Sequence, residues 1–552
     1  MKLIPAAGVL IAGLTLGLAF ATTPLIVAAQ ETKVLTMAFE SGKGLDNLDP
    51  RTLLTDDHGE VQNGFLDPLV RTYGSDIVPG AAEKWEISGD GLTYTFHLRE
   101  AKWSDGVPVT SANFVHAFVR MFQSAPASAI YDDILNGAEL RGGKASPKDL
   151  GVKGPDDKTV VFTLRSPAPY FLSLLASHFG APGRADLVEK FGDAYGASVE
   201  SLPSNGPFIL TEWENENKVV LKKNPNYWNA KNIHLDEVIW LVVPDPATKR
   251  NMFDNGDLDT YTPVTEDEAA AYEKKGLLVR FARGRERDVQ LNRHGQNNPL
   301  KAKLLSDPAF MKAISYAFDR KAFADKVLKG AAIPATVQAP AATAVSGIVG
   351  KTWGDISPNF GVYHPETADP AKSKEFLTKA LADAGLTSVE QVPQLDLLTR
   401  DDPQDPKAIT PYLLSVLTGM GLKANIVQAT GDQFWNTLYK PALGYDLAVT
   451  GWSADFNDPI TYMGYWASSS MDHGVTYENP EFDALLIAAN KETDPEKRAK
   501  ILVQAEAMFA DNAPCFPLLH MRGAVAVQPR VKGIAFSSFQ APINYYYADI
   551  VH

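Results

Sequence analysis

Hydrophobic positions change their period once along the chain, near Pro299. Before it, apolar and polar residues alternate over short stretches bounded by Pro and Gly: KVLTMAF, the hairpin-like SGDGLTYTFHL, DDKTVVFTL, FILTEWENENKVVLKKNPNYW and HLDEVIWLVV each read as a strand or a strand pair. Three helices interrupt them. SANFVHAFVRMFQ opens after Ser/Thr capping residues, PYFLSLLASHF is apolar enough to be buried, and EDEAAAYEKK is charged. After Pro299 the pattern becomes α/β. LLSDPAFMKAISYAFDRKAFADKVL has apolar residues at helical spacing, and AKSKEFLTKALADAG, PQLDLLT, ITPYLLSVLTGMG and KANIVQ alternate helix and strand, with glycine at the helix stops. Residues 331–370 between these blocks are rich in Pro, Ala and Gly and are predicted to form a long ordered surface loop. The strand YDLAVT then delivers GWSADFNDP, residues 451–459, to its carboxyl end, where open α/β sheets hold ligands. A helix PEKRAKILVQAEAMFADN and a strand-like FPLLHMRGAVAV follow.

A chain of 552 residues exceeds one ordinary core, so two or more lobes are expected. A formal net charge of -14 argues against nucleic acid or anionic lipid as the main partner. The first residues, MKLIPAAGVLIAGLTLGLAFATTPLIVAAQETK, place Lys2 before a long apolar run with small residues at its end, the form of a secretory signal cleaved after Ala29; an uncleaved anchor is the competing reading. Cys515 is the sole cysteine, so neither a disulfide nor a lipid on a cysteine after the signal is available, and a soluble protein of the periplasm is expected.

Catalytic patterns are missing from the sequence. No two His stand at metal-ligand spacing, there is no H-E-x-x-H, and no phosphate- or dinucleotide-binding glycine pattern occurs, so neither metal nor cofactor is expected. G-W-S-A-D lacks the second glycine of a nucleophile elbow, which leaves Ser453 a poor nucleophile. The run RGRER, residues 283–287, reads as a charged strand edge or turn rather than an anion site, because Glu286 partly neutralises it. What remains is Asp455, an acid at a strand end with Trp452 beside it and no base within the nine-residue motif.

Six further stretches accompany that motif: LDP at Leu48 to Pro50, PGAAEKWEISGDGLTYTFHLREAKWSDGVPVTS, DLGVKGPDD, SPAPYF, NGPF and NPNYW. In this order the chain resembles the periplasmic peptide-binding proteins of ABC importers, and the oligopeptide-binding branch most. The resemblance implies an α/β, two-lobed periplasmic-binding-protein fold with a hinge and an extra subdomain in the first lobe. Its boundaries are a signal at 1–29, first-lobe segments at 30–66 and 201–292, the extra subdomain at 67–200, the second lobe at 293–517 and a return to the first lobe at 518–552, with hinges around 288–293 and 516–522. It implies a binding protein rather than an enzyme, with short extended peptides as ligands and ABC permease subunits as partners, and a monomer is expected. Asp455 matches the acid that meets the peptide's α-ammonium group, Gly451, Trp452 and Ser453 would supply a main-chain pairing edge, Trp452 would wall a side-chain pocket, and Asp458 is structural. Where oligopeptide-binding relatives carry Arg three residues before the Trp, this chain has Val449, and no residue is assigned to the peptide carboxylate. The alternatives are the same fold with another cargo (dipeptide, murein peptide, opine or chelated metal) and an exported hydrolase.

Overall fold

Alternation dictates the first sheet. In Val34–Ala38 every second side chain is buried, and this strand pairs in parallel with Glu237–Leu241, which continues antiparallel to Lys218–Lys223 and then Phe208–Glu214. A second, wholly antiparallel sheet orders Ala82–Ile87, Thr93–Leu98, Thr159–Thr163 and Val152–Asp156. The helix Ser111–Ser124 buries Phe114, Ala117, Phe118, Met121 and Phe122, a single stripe at helical spacing. Phe118 meets Phe162 of that sheet edge-on, with ring centroids 5.0 Å apart. This fold comes from a computed structural model that describes residues 31–551 apart from 52–54, 75, 125, 264, 358–362, 401–406, 440–443, 471–476, 513 and 540. The signal expected at 1–29 lies outside the described residues.

From Lys33 onward the chain is one compact unit, yet its apolar residues divide. One core draws on residues between Leu35 and Trp240 and again on Val525 to Ile550. Others draw on Val289 to Leu519, centred on helices such as Pro308–Ala317 and Pro370–Ala384. Two long antiparallel strands, Leu278–Leu291 and Cys515–Val527, run through both regions as the middle of a seven-stranded mixed sheet. Their ladder shifts register between Ala282 and Glu286 and again between Arg287 and Asp288. The expected hinge stretches 288–293 and 516–522 overlap these two strands, and the second register shift lies at the start of the former.

Residues 331–370 depart from the surface loop predicted for them. They hold the short strands Ala332–Pro334, Ala344–Val345 and Ile348–Thr352 and the helix Trp353–Ile356, and Ala335, Val337, Ala339, Val345 and Trp353 are buried. Glu506 organises this burial: its carboxylate accepts from Ala339 N and Trp353 Nε1, both at 2.9 Å.

Candidate functional site

The strand Leu447–Thr450 lies between Leu278–Leu291 and Leu395–Arg400, and its antiparallel register with the former runs from Leu291 opposite Leu447 to Asp288 opposite Thr450. The motif prolongs that ladder beyond the strand proper. Glu286 N donates to Trp452 O at 3.0 Å, Arg285 bridges Ser453, and Ala454 N donates to Gly284 O at 2.7 Å. Such close passage requires glycine at 451, where an added Cβ would stand 2.1 Å from Glu286 O and 3.0 Å from Arg287 Cα. We expect Gly451→Ala to cost about 1–3 kcal/mol through this clash with main chain, read as a lowered urea midpoint; an unchanged midpoint would show that the two strands separate easily here.

Residues opposite one another in an antiparallel ladder share a face, and neighbours along a strand alternate. Trp452 therefore shares a face with Glu286, whereas Gly451 and Ser453 fall on the face of Arg285 and Arg287. This changes the expected pairing edge. Trp452 is committed to Glu286, its N–H donating to Glu286 Oε1 at 2.9 Å and its carbonyl accepting from Glu286 N, so it contributes its ring instead. The peptide groups of Gly451 and Ser453 turn to the opposite side of the strand.

Two cavities meet at Asp455. One, of about 440 Å³, is walled by Trp452, Phe456 and Tyr465. The Trp452 and Tyr465 rings sit 4.6 Å apart, and Thr461 Oγ1 accepts from both Trp452 Nε1 at 3.4 Å and Asp455 N at 3.3 Å. The other, of about 280 Å³, is lined by Asp56, Arg283, Arg285, Ser453 and Asp455, together with Phe539 from the C-terminal return. The base that the nine-residue motif lacks thus comes from the crossing strand. Arg283 Nη2 and Arg285 Nη2 lie 2.5 and 3.6 Å from Asp56 Oδ2, giving this cavity two acids and two guanidinium groups. Sequence reasoning missed Asp56, Arg283 and Arg285; the only signal for the arginines was the strict alternation within RGRER.

Asp458 is structural, as expected, and its partner is distant in sequence. Its two carboxylate oxygens each accept from Arg498 at 2.8 Å, and further donors are Ser346 N at 3.0 Å and Ile460 N at 3.1 Å. Burial alone would raise this carboxyl; the Arg498 charge and these hydrogen bonds outweigh it and hold the group below its ordinary range. Asn457 accepts from Ala344 N at 2.9 Å, so the motif also holds residues 331–370 in place. On the other side Asn457 N donates to Ser173 Oγ at 2.9 Å, and Phe456 stacks on Tyr170 at 4.1 Å. Among the described residues no group of three His, Cys, Asp or Glu is placed to hold a metal, and no helix is long and apolar enough to cross a membrane.

Residues 76–473 match the family described as bacterial extracellular solute-binding proteins, family 5 Middle. The periplasmic oligopeptide-binding protein OppA of Salmonella typhimurium is 28% identical over 512 residues, covering 90% of this chain and 89% of the relative. The oligopeptide-binding protein OppA of Bacillus subtilis is 28% identical over 466 residues, with 82% of each chain covered. In three dimensions the chain is similar to the crystal structure of Haemophilus influenzae OppA in complex with RPPGFSPFR, with a TM-score of 0.71, 26% identity, and coverage of 95% of this chain and 100% of that one.

Proposed function

We propose, for a chain that belongs to the bacterial extracellular solute-binding proteins of family 5, that it is the peptide-binding component of an ABC importer, holding short peptides in extended form between its two lobes. The observation that carries this reading is the placement of Asp455 and Ser453 on one cavity at the carboxyl end of a sheet strand, lined by Phe179 of the first core and by Ala454, which packs against a core of the later residues. A binder that accepts many sequences does best to pair with the ligand's main chain, and the peptide groups of Gly451 and Ser453 are turned to the side where a strand can be added. The peptide's α-ammonium group costs several kcal/mol to bury without a counter-charge, and Asp455 offers one. Trp452 reads the area of an adjoining side chain.

With this reading go its finer parts. The protein acts as a monomer in the periplasm, exported by a cleaved signal and carrying no lipid, catalyses no reaction, and hands its peptide to permease subunits in the inner membrane. The lobes divide at 292/293 and 517/518, with 67–200 as the extra subdomain, and closure bends the crossing strands where their register shifts. Asp455→Asn keeps the shape and removes the charge, so calorimetric titration with alanine peptides is expected to show at least a tenfold loss of affinity, within the roughly 2–5 kcal/mol span for a truncated buried charge pair. N-acetylation of the peptide should do comparable damage to the wild type and add little in the variant. Equal binding of acetylated and free peptides by the wild type would remove Asp455 from this role.

A further inference from the structure

Phe171 anchors the start of a short helix, Phe171–Leu175, on the wholly antiparallel sheet. Its ring meets those of Tyr94 and Phe162 with centroids 5.0 and 5.3 Å apart, and Tyr94 Oη donates to Ala168 O at 3.0 Å just ahead of the helix. Tyr170 and Ser173, three residues apart, share one face of this turn. That face meets two consecutive residues of the motif. Tyr170 stacks on Phe456, with centroids 4.1 Å apart and planes within 9°, and Ser173 Oγ accepts from Asn457 N at 2.9 Å. A third, more exposed bond runs from Gly350 N to Asp76 Oδ1 at 3.1 Å.

Each partner is itself held. Tyr170 Oη donates to Asp133 Oδ2 at 2.7 Å, and burial, with Asp133 adding to it, raises the phenol well above its ordinary value, so it stays a donor. On the motif side Arg498 fixes Asp458, and Asn457 Oδ1 accepts from Ala344 N. Tyr170 and Phe456 each pack against the first core and against a core of the later residues. The segment 67–200 also walls both cavities that meet at Asp455, through Tyr170 in the larger and through Ile130 and Phe179 in the smaller. Ser173 and Asn457 line neither cavity, so their effect on a ligand must travel through the chain beside Asp455.

We propose that the extra subdomain acts as a clasp on the ligand-holding motif, with Tyr170 and Ser173 as positioning residues that hold Phe456 and Asn457, and through them Asp455, across the lobes. The inference rests on the peptide reading and on the lobe division that goes with it. For the lobes to part, the two rings must separate and expose apolar area, and the buried Asn457 N–H must give up its acceptor. These costs fall on the exit of a bound peptide, whereas the first encounter precedes the clasp, so the contact sets the dissociation rate more than the association rate.

The test measures both rates for tri-, tetra- and penta-alanine on the full-length mature protein by stopped-flow tryptophan fluorescence, with Trp452 in the cavity wall as reporter. Ser173→Ala and Tyr170→Leu are each expected to raise the dissociation rate roughly threefold to tenfold and to leave the association rate within about twofold of the wild type. Tyr170→Phe keeps the stack and loses only the bond to Asp133, so its dissociation rate should fall between those of the wild type and Tyr170→Leu. A misfolded fraction would reduce the amount of peptide bound and leave the dissociation rate of the remainder unchanged. Hydrogen exchange read by mass spectrometry at saturating tetra-alanine gives a second measure, in which Ser173→Ala should lose protection over residues 455–458. Wild-type dissociation rates in both Ser173→Ala and Tyr170→Leu, with protection of 455–458 retained, would overturn the clasp while leaving peptide binding intact. No binding of any alanine peptide by the wild type would overturn the peptide reading and the clasp with it.

Discussion

Replacing Arg498 by methionine is expected to lower the unfolding free energy by about 3–5 kcal/mol, because it leaves a buried carboxylate without its counter-charge. Arg498 and Asp458 have side chains only 1% and 0% exposed and meet through two parallel bonds of 2.8 Å. Methionine keeps much of the volume, so a cavity contributes little and the unpaired charge dominates. By contrast the pair Lys33 with Asp549, 26% and 29% exposed, should contribute less than about 1 kcal/mol. Asp458→Asn also destabilises, since Ser346 N and Ile460 N lose a charged acceptor. The double variant Arg498→Met/Asp458→Asn should lose clearly less than the sum of the two single changes. Urea unfolding of ligand-free protein measures this cycle. A loss under about 1 kcal/mol for Arg498→Met would mean that solvent reaches Asp458 more readily than its burial implies. Peptide affinity should fall as well, since Asp458 anchors the segment that presents Asp455.

Periodicity made most of the secondary structure legible. The strand Thr159–Thr163 and the helix Pro370–Ala384 with its stop at Gly385, φ 80°, follow from local alternation, capping and glycine chemistry. Residues 331–370 were misread because Pro, Ala and Gly serve both surface loops and irregular chain packed tightly against a core. Their burial depends on Glu506 and on Asn457 and Asp458, more than a hundred residues away, and no local pattern reports such partners. The motif put Asp455 and Trp452 forward as candidate site residues, but the charges around Asp455 were not legible in it. Arg283 and Arg285 reach Asp455's cavity only because two strands about 170 residues apart in sequence pair in one register. Glu286, adjacent to Arg285 and Arg287 in sequence, faces away from them for the same reason.

That opposite face predicts a pH-dependent stability centred on Asp288. Its carboxyl is 1% exposed on a strand that crosses between the two cores. Gln290, Gln338 and Cys515 surround it, yet neither oxygen gains a full hydrogen bond. Burial pushes it up to about 7, while Arg287 works in the other direction. Glu286 is raised well above its usual value by burial and then by the neighbouring Asp288 charge. The folded state therefore keeps a proton that the unfolded chain releases near its ordinary value of 3.8. Because the folded value is the higher one, this group's contribution to stability is fully present below about pH 4 and is lost as pH rises through 7. A rise of about three units corresponds to a penalty on the order of 4 kcal/mol at pH 8. Asp288→Asn keeps the shape and cannot ionise, so its stability advantage over the wild type should be small at pH 4.5, grow across the interval and level off above 7. Buried His178, pushed down to about 3 by burial, and His520, pushed down to about 4, titrate in the opposite sense, which flattens the wild type's own profile. They are present in both proteins and cancel in the difference. Chemical unfolding of both proteins at pH 4.5, 6 and 8 measures it. Parallel stability profiles for the two would show that Asp288 stays ionised in the folded protein and that the crossing strand carries its charge at no cost.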